Sequence, residues 1–114
     1  MANTFKLKTD TGVGATLTTV YTVPTSPATT TVLIGCVLAN ITAGQIKANC
    51  KIVTLATGGE NGDDVWLVKD LPIPSGASFE LIEGKVVMEQ GDMFKVESDT
   101  ASSIDVALSV MEQT

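Results

Sequence analysis

The sequence predicts an all-β domain: an antiparallel β-sandwich of jelly-roll-like form, or a squat barrel, with about eight to nine short strands. Three observations carry this. The apolar residues are mostly aliphatic, and the only aromatics are Phe5, Tyr21, Trp66, Phe79 and Phe94. Val, Ile and Thr dominate, and branching at Cβ suits a pleated surface better than a helix. Short alternating runs are broken by Gly, Pro, Asn and Asp at the spacing of a sandwich or barrel, with no convincing helix between them.

Each element follows from its own pattern. A first strand is expected at Thr4 to Lys8, where Phe5 and Leu7 alternate with Lys6 and Lys8. Thr11 to Gly14 is a glycine-rich break, so residues 1–12 read as an N-terminal arm or edge strand of one domain spanning 1–114. Leu17 to Val23 is a second strand with Leu17, Tyr21 and Val23 on one parity. Pro24 and Pro27 bracket a loop, because proline has no N–H for a ladder. Thr30 to Ile41 is the most apolar strand and is expected at the centre.

Thr42-Ala43-Gly44 suits a three-residue hairpin loop with Gly44 in the left-handed conformation. That turn would set Asn40 opposite Ile46, Leu38 opposite Ala48 and Cys36 opposite Cys50. Val32, Ile34, Cys36 and Leu38 would then share a face with Ile46, Ala48, Cys50 and Ile52, with Lys47, Asn49 and Lys51 in solvent. Ala56 to Asp64 is a polar loop. Val65 to Lys69 is a strand, and Leu71-Pro72-Ile73-Pro74 is an extended edge. Turns at Ser75-Gly76, Glu83-Gly84 and Gln90-Gly91 separate strands at Ser78 to Ile82, Lys85 to Met88 and Met93 to Glu97. The last strand alternates most cleanly, with Ile104, Val106, Leu108 and Val110 against Asp105, Ala107, Ser109 and Met111.

Composition excludes several functions. The chain has 114 residues, seven lysines, no Arg, no His and 13 carboxylates, for a net charge of −6. A domain of this length buries roughly two thirds of its unfolded surface, enough for one core without a metal or crosslink. Nucleic-acid binding needs clustered Lys and Arg, so no nucleic-acid partner is expected. The longest apolar run, Val32 to Ala39, is too short to span a bilayer, and MANTFKLKTD lacks the apolar core of a signal peptide. The expectation is a soluble, cytoplasmically made protein with no membrane partner.

Without His, a Ser-His-Asp or Cys-His arrangement is impossible, and the remaining carboxylates sit at turns and solvent-facing positions. No catalytic residue, cofactor site or metal site is assigned, and the chain is read as a non-enzyme. Cys36 and Cys50 cannot complete a zinc site without other ligands; they read as two buried thiols, with a disulfide as the alternative that the expected cross-strand pairing would permit. Glu60, Asp63 and Asp64 in GGENGDD lack EF-hand spacing and read as a hairpin loop. The threonines from Thr16 to Thr31 suit solvent-facing strand positions. Trp66 and Tyr21 are candidates for stacking on a sugar, and equally for core or interface.

The C-terminal half carries a resemblance. LPIPSGASFELIEGKVVMEQG, then DMFKVES and SIDVALSVME, place Pro74, Gly76, Leu81, Val86 or Val87, Glu89, Gly91, Asp92, Val96, Ser109 and Glu112 in a recurrent rhythm. This rhythm resembles small virion structural proteins of tailed bacteriophages, particularly of cyanobacterial and marine phages. The N-terminal half, with its Thr-rich strand ending Tyr21-Thr22-Val23-Pro24, fits as well. The matching residues are structural: Gly76, Gly84 and Gly91 stand where turns need positive φ.

The resemblance implies a β-sandwich present in many copies on a virion. The specific expectation is a capsid decoration or cement protein that binds the major capsid protein and copies of itself, as a homotrimer. The alternatives are a neck, tail or baseplate component, or a glycan-binding module on the virion. Residues Ala2 to Asp10 are a candidate for strand addition to a neighbour.

Overall fold

Nine strands occur among the described residues: β1 (Asn3–Val13), β2 (Thr18–Thr22), β3 (Thr30–Asn40), β4 (Ile46–Val53), β5 (Val65–Ile73), β6 (Ser78–Glu80), β7 (Val86–Met88), β8 (Met93–Ser98) and β9 (Ile104–Gln113). The computed structural model describes residues 2–55, 62–82 and 84–114, and no helix occurs among them. One sheet has the order β1-β9-β3-β6, with β7 also on β3; the other has the order β2-β8-β4-β5. All pairings are antiparallel.

The first half of the chain pairs with the second half in reverse. Asn3 lies opposite Gln113, Thr18 opposite Val96, Val37 opposite Glu80, and Ile52 opposite Val65. This long double strand rolls up through the β3–β9 and β4–β8 pairings, which gives two facing sheets and jelly-roll form. Between them lie Leu33, Leu38, Ile46, Ile73, Met88, Phe94, Ile104 and Leu108, all fully buried. β9 follows its alternation, with Ile104, Val106, Leu108 and Val110 inside. Pro72 lies on β5 at the sheet edge, as its missing N–H requires.

The Thr42-Ala43-Gly44 hairpin does not form. β3 and β4 lie in opposite sheets, and Gly44 is outside the left-handed region. Asn40 holds the crossing instead. Its amide donates to the carbonyls of Gly44 (2.8 Å) and Ile73 (2.9 Å), and its Oδ1 accepts from the N–H and hydroxyl of Thr42 at 2.9 and 2.7 Å. A hairpin here would pair β3 and β4 with each other; the observed crossing pairs them with β9 and β8 and closes the core. Asn40→Ala removes all four of these bonds in a buried site. It is expected to cost about 2–4 kcal/mol by urea unfolding, with Asn40→Asp intermediate because it keeps the acceptor.

Bulges account for the other departures. A register shift between Leu33 and Gly35 turns Ile34 outward and reverses the parity before it, so that Leu33 is buried in place of the expected Val32, while Cys36 and Leu38 are inside as expected. Glu80 accepts the Cys36 N–H there at 2.9 Å. A Cβ on Gly35 would come 3.3 Å from that carboxylate. Asn49 is buried rather than solvent-facing: it accepts the Asp70 N–H at 2.6 Å and donates to Glu97 at 3.1 Å. Asp70, at φ 54°, forms the irregularity that joins 65–69 and 71–73 into one strand. Gly76 and Gly91 take positive φ as expected, whereas Gly84 does not.

Candidate interaction surface

β1 is inverted relative to its hydrophobicity. Lys6 and Lys8 lie opposite the buried Val110 and Leu108, so they point to the inter-sheet side. Phe5 and Leu7 lie opposite Met111 and Ser109, pointing outward, with exposures of 73% and 63%.

A polar cluster, buried at Tyr21, Thr31 and Glu112 and open to solvent at Lys6, explains the inward lysines. Lys6 Nζ is 2.8 Å from Glu112 Oε1, and Lys8 Nζ lies 5.8 Å from the Tyr21 ring centroid. The Tyr21 hydroxyl donates to Glu112 Oε2 at 2.5 Å. Thr31 Oγ1 is 2.8 Å from the same hydroxyl and therefore donates to it. Burial opposes ionisation of Glu112, but hydrogen bonds from Lys6 and Tyr21 outweigh it and hold its carboxyl below the ordinary value. Burial, then Glu112, pushes the Tyr21 hydroxyl well above its ordinary value.

The outer face of the first sheet is apolar. Phe5 opposes Met111, Met111 opposes Val32, and Val32 opposes Val87, so one row crosses β1, β9, β3 and β7. Val87 is 62% exposed, and Leu7, Ile34 and Val37 extend the patch along the strands. A shallow groove at one end is lined by Thr11, Val37, Ala39 and Asp105. The Asp105 carboxylate there already accepts from the Thr11 hydroxyl (2.6 Å) and the Gly12 N–H (3.1 Å).

The sheet edges are guarded while this face is open. Inward-pointing charges, prolines, bulges and short strands all discourage strand addition. β1 has Lys6 and Lys8; the opposite edge is split into the short β6 and β7. β5 carries Pro72 and the Asp70 irregularity, and β2 is five residues long with a register shift of its own.

The remaining sequence candidates do not converge on a site. Cys36 and Cys50 are free, fully buried thiols on opposite sheets, not cross-strand neighbours in a hairpin. Burial, with Glu80 adding to it, pushes Cys36 up to about 12. Burial raises Cys50 as well, with Cys36 as the second cause. Among the described residues no group of His, Cys, Asp and Glu is placed to hold a metal ion. Glu60 lies outside the described residues; Asp63 and Asp64 are exposed, and Asp64 accepts the Thr54 N–H at 2.9 Å. Tyr21 is buried and Trp66 is on the outer face of β5, so they form no common groove.

Two carboxylates expected in solvent are buried: Asp92, which accepts the N–H groups of Leu55 and Glu89 at 3.0 Å each, and Glu112. The signal for Glu112 was its parity, which continues that of Val106, Leu108 and Val110.

No protein-family model and no curated protein matches this chain. A solved structure described under "Bacillus endospore appendages form a novel family of disulfide-linked pili" is similar, with a TM-score of 0.51. The match is 13% identical and covers 99% of this chain and 87% of that one. The likeness is one of fold.

Proposed function

We propose that this chain is a non-enzymatic structural subunit that docks through the outer face of its first sheet. The observation that carries this is the outer-face row Phe5–Met111–Val32–Val87, exposed at its two ends and half-buried at Met111 and Val32. A contiguous apolar patch on a small soluble domain marks a surface that another protein covers. The guarded edges support the same reading, because they leave face packing rather than strand addition as the mode of contact. The finer setting is a tailed-phage virion, with the chain as a capsid decoration protein on the major capsid protein, as a homotrimer. The turn-and-strand rhythm of residues 71–112 supports that setting.

A second reading, a subunit of an extracellular fibre, is favoured by the fold shared with the endospore appendage protein. The disulfide linkage named for those pili does not transfer readily, since both thiols here are buried in the core.

Quantitative mass spectrometry of purified particles tests the proposal. Copies in the hundreds are expected for decoration, and Leu7→Glu with Val87→Glu should lower occupancy at least about tenfold, since two charges would be buried in the contact. About six to twelve copies would move the chain to a ring at the neck or baseplate. Absence from particles, or full occupancy of the charged variant, would overturn docking through this face.

A further inference from the structure

The outer face of the second sheet has the opposite character. Lys51 on β4 lies directly opposite Trp66 on β5 and directly opposite Lys95 on β8, and Lys95 in turn faces Thr19 on β2. Lys51 and Lys69 hold their ammonium groups 5.0 and 4.3 Å from the Trp66 ring centroid. The exposed Lys47 shares the parity of Lys51. Four of the seven lysines of a chain whose net charge is −6 thus sit on one face, together with Glu97, which lies opposite Asn49 and accepts its amide hydrogen bond.

No carboxylate within ion-pair distance of Lys51, Lys69 or Lys95 is found among the described residues. Like charges directly opposite on neighbouring strands are destabilising. With 13 carboxylates in the chain, partners were available for this face. The indole instead holds two of the ammonium groups in place by cation–π attraction, so less freedom is lost when they meet an anion.

We propose that this row binds an acidic polysaccharide, carboxylated or sulfated. Lys51 and Lys95 stand on adjacent strands whose backbones are ~4.8 Å apart, and Lys51 and Lys69 flank Trp66, so an extended anionic chain lying across the strands would meet these groups in turn. A nucleic acid fits less well. There is no Arg to take phosphate bidentately. Stacking a base needs an open aromatic face, and the Trp66 ring already carries two lysines. The row lies across the sandwich from the apolar patch, so a copy docked through that patch presents its lysines outward. Binding needs only the free chain and does not depend on docking.

The test is retention of the purified chain on immobilised heparin at about 50 mM salt, where phosphate- or sulfate-type contacts are strong. The wild type is expected to be retained and to elute as salt rises. Lys51→Ala with Lys95→Ala should weaken apparent affinity at least about tenfold, while Lys85→Ala, an exposed lysine on another part of the surface, should not change it. Polygalacturonate should compete and neutral dextran should not. Wild type in the flow-through, equal retention of the double variant, or single-stranded DNA competing better than polygalacturonate would each overturn the proposal. Heparin binding with no association to particles would overturn the docking role and leave this site standing.

Discussion

Phe94→Ala is expected to destabilise the fold by about 3–5 kcal/mol, the cost of emptying a large aromatic site that neighbours cannot refill. Phe94 is fully buried on β8, opposite Tyr21 of β2 and Ile52 of β4. Among the described residues it is the largest fully buried side chain, in a core that is mostly aliphatic and also holds Tyr21, Met88, Cys36 and Cys50. The surrounding backbone is hydrogen-bonded on both sides, so the sheets cannot close over the cavity. For a domain whose total stability is on the order of 5–15 kcal/mol, this loss approaches the whole. Urea unfolding at neutral pH reads it directly. Phe5→Ala is the matched control: the same atoms are removed from an exposed outer face, and a change within about 0.5 kcal/mol is expected for the free chain. A loss below 1 kcal/mol for Phe94→Ala, on the scale expected of a surface site, would show that the core is not packed as described.

Raising the pH from 8 to 11 is expected to remove about 5 kcal/mol through the two thiols alone. An unfolded thiol titrates at an ordinary value of 9.0, whereas burial pushes Cys36 up to about 12 and Cys50 up as well. Each thiol therefore holds its proton more tightly in the folded chain. That contribution is complete below the ordinary value and is lost as pH rises toward the folded one. At pH 11 the unfolded thiol is two units past its midpoint, and each unit is worth about 1.4 kcal/mol. Tyr21, raised from 10.0 by burial and then by Glu112, steepens the fall above pH 10. Urea midpoints measured across this range should drop steadily, and Cys50→Ala should flatten the slope by roughly half of the thiol share. A thiol reagent should label neither cysteine in the folded chain at pH 8 and both after denaturation. A flat profile to pH 11 would mean that the thiols are not buried as described.

The parts legible in the sequence are those where local chemistry and burial agree. β9 alternates without interruption and keeps one face inside. Pro72 could belong only to an edge, and Gly91 only to a turn. The interaction surface was less legible. Ile34 reads as core by parity, yet one extra residue at the β3 bulge moves it to the outer face. Phe5 and Leu7 read as the buried side of their strand. They point outward because Glu112 and Tyr21 occupy the inter-sheet side and draw Lys6 and Lys8 toward it. Glu112, which anchors the cluster, joins Lys6 and Tyr21 from the far end of the chain, so no local window contains the reason.

By itself the sequence determined an all-β sandwich with an aliphatic core and no histidine for acid–base chemistry. Strand alternation and turn residues are properties of short segments, and composition is a property of the whole chain. Only the tertiary structure decided which strands are neighbours and which face each strand turns outward. A Thr-Ala-Gly turn is compatible with a hairpin or with a crossing, and the larger burial from pairing β3 with β9 and β4 with β8 selects the crossing. The same pairing lines up Phe5, Met111, Val32 and Val87 on one face and Trp66, Lys51 and Lys95 on the other. Both rows run perpendicular to the chain, the direction along which the sequence carries no local information.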